Sequence, residues 1–267
     1  MSKVVLITGA SSGIGKSIAE FLVSKNFMVY GTSRNPKSSN INGVHFLPLD
    51  VTKTETIKAA VESVLKQEGK IDVLINNAGK GITGPLEEIP EAELKLVFET
   101  NYFGPVAVMK SVLPTMRKQR SGLIINVTSI AGYMGLPYRS AYSATKGALS
   151  LTTEAMRMEL KEFNVKLTNV APGDFATNIA SGRYHAPLDE HSDYAVNYGK
   201  SLALMDEHVD EGEDPQLMAK AVYKIIETKE PSVDYKIGAL MQRLSTFLKG
   251  VLPGKMYERL LLNHYKL

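Results

Sequence analysis

Lys3-Val4-Val5-Leu6-Ile7-Thr8-Gly9-Ala10-Ser11-Ser12-Gly13-Ile14-Gly15 passes within thirteen residues from an apolar run, through three glycines, into a helical pattern. The aliphatic run at residues 3–8 has the near-continuous Val, Ile and Leu content of a strand covered on both faces. Glycines after such a strand permit a tight turn and let a pyrophosphate approach the backbone at the N-terminus of the next helix. The spacing here is Gly-x-x-x-Gly-x-Gly rather than Gly-x-Gly-x-x-Gly, which makes the loop one residue longer. Strand-to-helix turns often need glycine for steric reasons alone, so the loop by itself is weak. Its place between the first strand and the first helix favours a dinucleotide site.

The same alternation runs outward along the chain. Further short apolar runs lie at 28–33, 44–49, 73–76, 123–128 and 166–171, with a weaker one at 233–237. Between them fall amphipathic segments at 14–25, 54–68, 91–118, 142–163 and 215–228. Repeated strand–helix–strand units predict an α/β fold: a doubly wound, Rossmann-like parallel sheet of about seven strands with helices on both faces. No linker rich in Pro, Gly or Ser divides them, so residues 1–267 are expected to form one domain. Two regions depart from the alternation. Residues 178–214 show no strand and read as a helical lid over the substrate, and 238–267 read as one or two short helices interrupted at Pro253-Gly254.

Composition narrows the function. Hydrophobic residues make up 44% of the 267 and charged residues 22%, as in a globular protein. A net charge of +3 offers no electrostatic reason for a nucleic-acid partner. The chain has no cysteine, which excludes disulfides, thiolate metal sites and cysteine nucleophiles. Its five histidines (His45, His185, His191, His208 and His264) show no metal-ligand spacing, so no metal is expected. The start runs straight into the first strand, too short for a signal-peptide core, and no apolar stretch nears the roughly 20 residues of a membrane span. A cytoplasmic protein is the expectation.

The end of the second strand bears on the form of the dinucleotide. Val29-Tyr30-Gly31-Thr32-Ser33-Arg34-Asn35 has no carboxylate where one would bind the ribose hydroxyls of NAD. Ser33 stands at that position and Arg34 follows it. A guanidinium there pairs with a 2′-phosphate that a carboxylate would repel, which points to NADP(H). The bland alternative is a solvated loop charge.

Tyr142 and Lys146, four apart on a helical segment, share one face. Ser129 ends the run at 123–128, Asn76-Asn77-Ala78-Gly79 ends another, Asn101 lies in the helical pattern after it, and Pro172-Gly173 closes the sixth. Together with Thr8 to Gly15, Asp50, Tyr142-Ser143-Ala144-Thr145-Lys146 and Thr177, these motifs resemble the short-chain dehydrogenase/reductase family over roughly residues 3–240. The resemblance implies catalysis by Asn101, Ser129, Tyr142 and Lys146. Tyr142 would be the general acid/base. A free phenol has a pKa of about 10, and a nearby ammonium favours the phenolate. Lys146 would also hydrogen-bond the nicotinamide ribose, Ser129 would hold the substrate oxygen, and Asn101 would kink its helix and hold a water in a relay to Lys146. Cofactor contacts are expected from Gly9, Ser11, Ser12, Gly13, Ile14, Gly15, Ser33 and Arg34. Asp50 and Val51 are assigned to the adenine, and Asn77, Ala78 and Gly79 to the adenosine side. Pro172, Gly173 and Thr177 are assigned to the nicotinamide.

Phe103, Val106, Met109, Val112, Leu113 and Met116 follow helical spacing, which reads as core, and family likeness adds a homodimer or homotetramer seam. Tyr184, Tyr194, Tyr198 and Met205 would wall a largely apolar pocket, so the expected partner is a hydrophobic carbonyl or alcohol, as in the hydroxysteroid and retinol dehydrogenase branch. Two rivals stand beside this enzyme: a dinucleotide-binding regulator or scaffold without turnover, and a peripheral lipid-handling protein using the C-terminal segment on a membrane. The intact Tyr142–Lys146 pair argues against the first.

Overall fold

Successive side chains along a strand point to opposite faces, and the first strand shows the consequence: Val5 and Ile7 enter one core, Val4 and Leu6 the other. The computed structural model describes residues 2–176, 182–210 and 212–267. In chain order the first elements are β1 (Val4–Ile7), α1 (Gly13–Ser24), β2 (Met28–Ser33), β3 (Asn40–Ile41), β4 (Val44–Pro48), α2 (Thr54–Glu68), β5 (Val73–Asn76) and β6 (Ile82–Thr83). Then come α3 (Glu91–Phe98), α4 (Gly104–Gln119), β7 (Gly122–Val127), α5 (Ser140–Glu159), β8 (Val165–Pro172) and β9 (Tyr184–His185). The last are α6 (Ala195–Asp210), α7 (Pro215–Glu227), β10 (Asp234–Ile237), α8 (Leu240–Val251) and α9 (Gly254–Tyr265).

The main sheet runs β10-β8-β7-β5-β1-β2-β4-β3 and is parallel except at the β3–β4 edge. Strand order reverses between β1 and β5, the switch point at which open α/β sheets bind ligands beyond the strand ends. One core packs α1 (Ile18, Leu22) and α7 (Met218, Val222) on the sheet. The other packs α2 (Ile57, Val64), α4 (Met109, Val112, Met116) and Leu149 of α5. Both faces are therefore covered, as the uninterrupted apolar strands require.

The expected sheet of about seven strands is present, with Asn40–Ile41 adding an eighth, antiparallel edge too short and too polar to register as an apolar run. The structure corrects two expectations. The segment 178–214 is not strandless: Tyr184–His185 pairs with Ile82–Thr83, a two-residue pairing that has no sequence periodicity. The pattern at 91–118 is not one helix, since a π-turn over Glu99–Phe103 separates α3 from α4 and places Asn101 fully inside. Among the described residues no helix is long and apolar enough to cross a membrane.

Candidate active site

The loops after β1 and β5 interlock at the switch point. Asn77 donates through Nδ2 to the carbonyls of Thr8 and Gly9, both at 3.0 Å. The Thr8 hydroxyl accepts in return from the backbone N–H groups of Asn77 and Ala78, also at 3.0 Å. Two glycines are compelled by this closeness. Gly9 has φ +67°, and a Cβ there would stand 2.9 Å from Ala78 Cα. At Gly15 a Cβ would fall 2.3 Å from both Asn77 Nδ2 and the Gly9 carbonyl oxygen. Gly13 also takes a positive φ, Ile14 packs into the α1 core, and Ser11 and Ser12 are exposed at the loop tip. Ser12 is the N-cap of α1 but makes no side-chain cap bond, and the first turn holds no acid. The helix thus presents its N–H groups and positive dipole end to solvent, which suits a phosphate.

Beside this loop, at the end of β2, opens a cavity of about 330 Å³ whose lining includes Ser11, Lys16, Ser33, Asn35 and Lys37. Ser33 Oγ is buried without a hydrogen-bond partner, and Arg34 is exposed next to it. Arg34 and Lys53 both act on Asp50. Burial works to raise that carboxyl's pKa, but hydrogen bonds from the Thr52 N–H (3.0 Å) and hydroxyl (2.8 Å), with the two cations, leave it below the ordinary value. Val51 is buried against Gly104.

On the far side of β5 the remaining residues converge. Lys146, buried in α5, donates through Nζ to the Val127 carbonyl at 2.9 Å, and Nζ lies 5.9 Å from the centre of the Tyr142 ring. Burial lowers the Lys146 pKa from the usual lysine value, while the Tyr142 phenolate would raise it. A Cβ on Gly79 would sit 3.5 Å from Lys146 Nζ and 3.3 Å from Asn101 Oδ1, so the three meet at one point. Asn101 binds the Lys80 backbone twice: Oδ1 accepts from its N–H at 2.8 Å and Nδ2 donates to its carbonyl at 2.9 Å. Asn101 Nδ2 also reaches the Thr145 hydroxyl at 3.2 Å. Ser129 Oγ accepts from Ala131 N–H at 3.1 Å and caps the turn Ile130–Tyr133. That turn lies against α5, where a Cβ on Gly132 would stand 3.0 Å from the Lys146 carbonyl carbon. Tyr142 itself is half-buried and packs against the cluster that includes Ile82, Val97, Ala186 and Tyr198. The glycine cradle, the open helix start and the unpartnered Ser33 hydroxyl fit a dinucleotide.

Pro172 and Gly173 close β8 at the same edge, but Thr177 lies outside the described residues. One contact here escaped the sequence. Gln242 of α8 accepts from Asp174 N–H at 3.2 Å, donates to the Asp174 carboxylate at 2.6 Å, and fills the space a Cβ on Gly173 would need. Arg139, whose guanidinium is 5.5 Å from the Tyr142 ring centre, was missed as well. Neither carries a motif; only the packing of distant segments brings them in. Of the expected pocket wall, Tyr198 and Met205 are buried, and the Tyr198 hydroxyl donates to the carbonyls of Ala186 (3.0 Å) and Thr83 (3.3 Å).

The model of the short chain dehydrogenase family matches residues 3–187. A 3-ketodihydrosphingosine reductase of Bacteroides thetaiotaomicron is 42% identical over 257 residues, 96% of this chain and 95% of that protein. The crystal structure of a short-chain dehydrogenase from Streptomyces avermitilis superposes with a TM-score of 0.82 at 32% identity, covering 99% of this chain and 97% of that one. A Burkholderia cenocepacia short chain dehydrogenase in complex with NADP matches with a TM-score of 0.75 at 25% identity, covering 97% and 98%.

Proposed function

The chain belongs to the short chain dehydrogenase family, and from that premise we propose an NADP(H)-dependent oxidoreductase that interconverts a ketone or aldehyde and an alcohol on a hydrophobic substrate. The observation that carries this reading is the buried Lys146 ammonium, hydrogen-bonded to Val127 and one helical turn from Tyr142, beside Gly79. The bound dinucleotide supplies the hydride. In reduction, Tyr142 gives its phenolic proton to the substrate oxygen as that oxygen gains charge, and Lys146 stabilises the phenolate left behind. Ser129 Oγ accepts a backbone N–H, which leaves its own O–H to donate to the substrate oxygen. Asn101 fixes the 80–81 turn and Thr145, and so the orientation of α5, as a positioning residue.

Gly9, Gly13, Gly15, Asn77 and Ala78 form the phosphate and adenosine cradle in this reading, with Asp50 and Val51 at the adenine. Ser33 and Arg34, backed by Lys16 and Lys37 of the adjoining cavity, receive the 2′-phosphate. Pro172, Gly173 and Thr177 take the nicotinamide end. The apolar surroundings of Tyr142, and a relative named for a ketone of the sphingoid class, favour a long-chain keto lipid. Exposed Phe103, Leu151 and Met158 on the helices flanking the site support a homodimer or homotetramer. Loss of absorbance at the NADPH band over a panel of ketones and aldehydes tests the reading. Turnover is expected with NADPH, weaker turnover with NADH, and none from Tyr142→Phe, which should still bind NADPH. Equal rates with both dinucleotides would remove the Arg34 assignment, and full activity of the variant would remove Tyr142.

A further inference from the structure

We propose that the outer face of α8 docks this protein on an anionic membrane surface. The inner face of α8 is spent within the molecule: Gln242 binds Asp174, Thr246 is buried, and Leu248 and Leu252 join the cluster of Ile130, Met134 and Tyr257. The outer face is just as apolar. Leu240, Leu244, Phe247 and Val251 recur every three or four residues, the spacing of one helical stripe, and remain 74%, 40%, 61% and 57% exposed. On α9, Met256 and Leu260 are exposed one turn apart, each preceded in the chain by an exposed cation, Lys255 and Arg259.

Charge identifies the occupant. Residues 236–267 carry six cations (Lys236, Arg243, Lys249, Lys255, Arg259 and Lys266) against the single acid Glu258. The preceding 235 residues carry 25 Lys and Arg against 27 Asp and Glu, so the net positive charge of the chain comes from this end. Lys236 and Lys249 lie over the Tyr133 and Tyr257 rings, but a second copy meeting the stripe about a two-fold axis would still set Arg243, Lys255 and Arg259 against the same three. A bilayer containing anionic lipid accepts the apolar stripe and neutralises the cations together. Docking needs neither the dinucleotide nor a substrate, so it goes beyond the redox reading and stands or falls separately. It would bring the loops at the ends of β7 and β8, which touch the inner face of α8, close to the lipid surface.

The chain has no tryptophan, so Phe247→Trp places a single fluorescent reporter on the stripe. Full-length protein is mixed with vesicles of equal phosphatidylcholine and phosphatidylglycerol, and with phosphatidylcholine alone, then sedimented. Docking predicts a blue-shifted reporter and co-sedimentation on the anionic vesicles, with partition weaker by roughly tenfold or more on the neutral ones. The Leu244→Glu/Phe247→Glu variant should lose partition while its circular dichroism and thermal melt stay those of the parent. Should it fail to fold, Arg243→Gln/Lys255→Gln/Arg259→Gln alters exposed charges alone and should weaken partition on anionic vesicles to a similar degree. No sedimentation with either vesicle overturns the proposal. So does an oligomer, measured by sedimentation velocity, that the double-glutamate variant dissociates while vesicles bind nothing, since a second copy would then cover the stripe.

Discussion

Lys146 concentrates the chemistry of the site in one buried ammonium. Removing that charge from water is unfavourable, and the pKa falls below the ordinary lysine value even though the Tyr142 phenolate would counter it. The unfolded chain therefore binds this proton more tightly than the folded one, and stability rises as pH climbs from the folded pKa towards the ordinary value. Lys146→Met deletes the penalty along with turnover. Its stability relative to the parent is expected to be most favourable near neutral pH and to decline towards pH 10, read from urea unfolding at several pH values. A difference that does not change with pH would rule out the buried charge as its source. The placement of Tyr142 and Lys146 along one helix and of Ser129 at a strand end was legible in the sequence, because each sits at a fixed offset in a local pattern. Arg139 and Gln242 were not, since their neighbours Tyr142 and Asp174 impose no pattern on the segments that carry them.

The strand–loop–helix unit from β1 to α1 is stiff for a reason visible in its glycines. A methyl group on Gly15 would collide with the backbone carbonyl of Gly9, which cannot give way without breaking the Asn77 hydrogen bonds. Gly15→Ala should cost about 1–3 kcal/mol of stability, as overpacking does, and abolish NADPH binding in a fluorescence titration. Gly250→Ala in α8 meets nothing within 4 Å and should instead stabilise by about 0.5–1 kcal/mol. The reverse order in urea would contradict the packing. A second device spans elements. Asn76, Asn126, Asn169 and Asp234 occupy one row across β5, β7, β8 and β10. Asn76 Nδ2 donates to Asn126 at 2.8 Å, Asn126 Nδ2 to Thr153 at 2.8 Å, and Asn169 Nδ2 to Asp234 at 3.1 Å. Buried polar groups joined in this way hold strand ends in register, where apolar side chains could slip.

At the scale of the whole molecule, ligand binding and folding are linked. Anything bound by the native state alone stabilises it, by about 2.7 kcal/mol at a hundredfold excess over Kd. NADPH at that excess is expected to raise the melting temperature by several degrees, and NADH at the same concentration by less. Equal shifts would argue against a 2′-phosphate site at Arg34. The sequence by itself determined the parallel sheet, its strand-end loops and the Tyr142–Lys146 face, because these rest on local periodicity and on glycine where side chains cannot fit. Strand order, the π-turn that buries Asn101, the β6–β9 pairing and the seating of α8 against Gly173 were decided only by tertiary structure. Each of these depends on contacts between residues far apart in the chain, whose free energy exists only once both surfaces have left water.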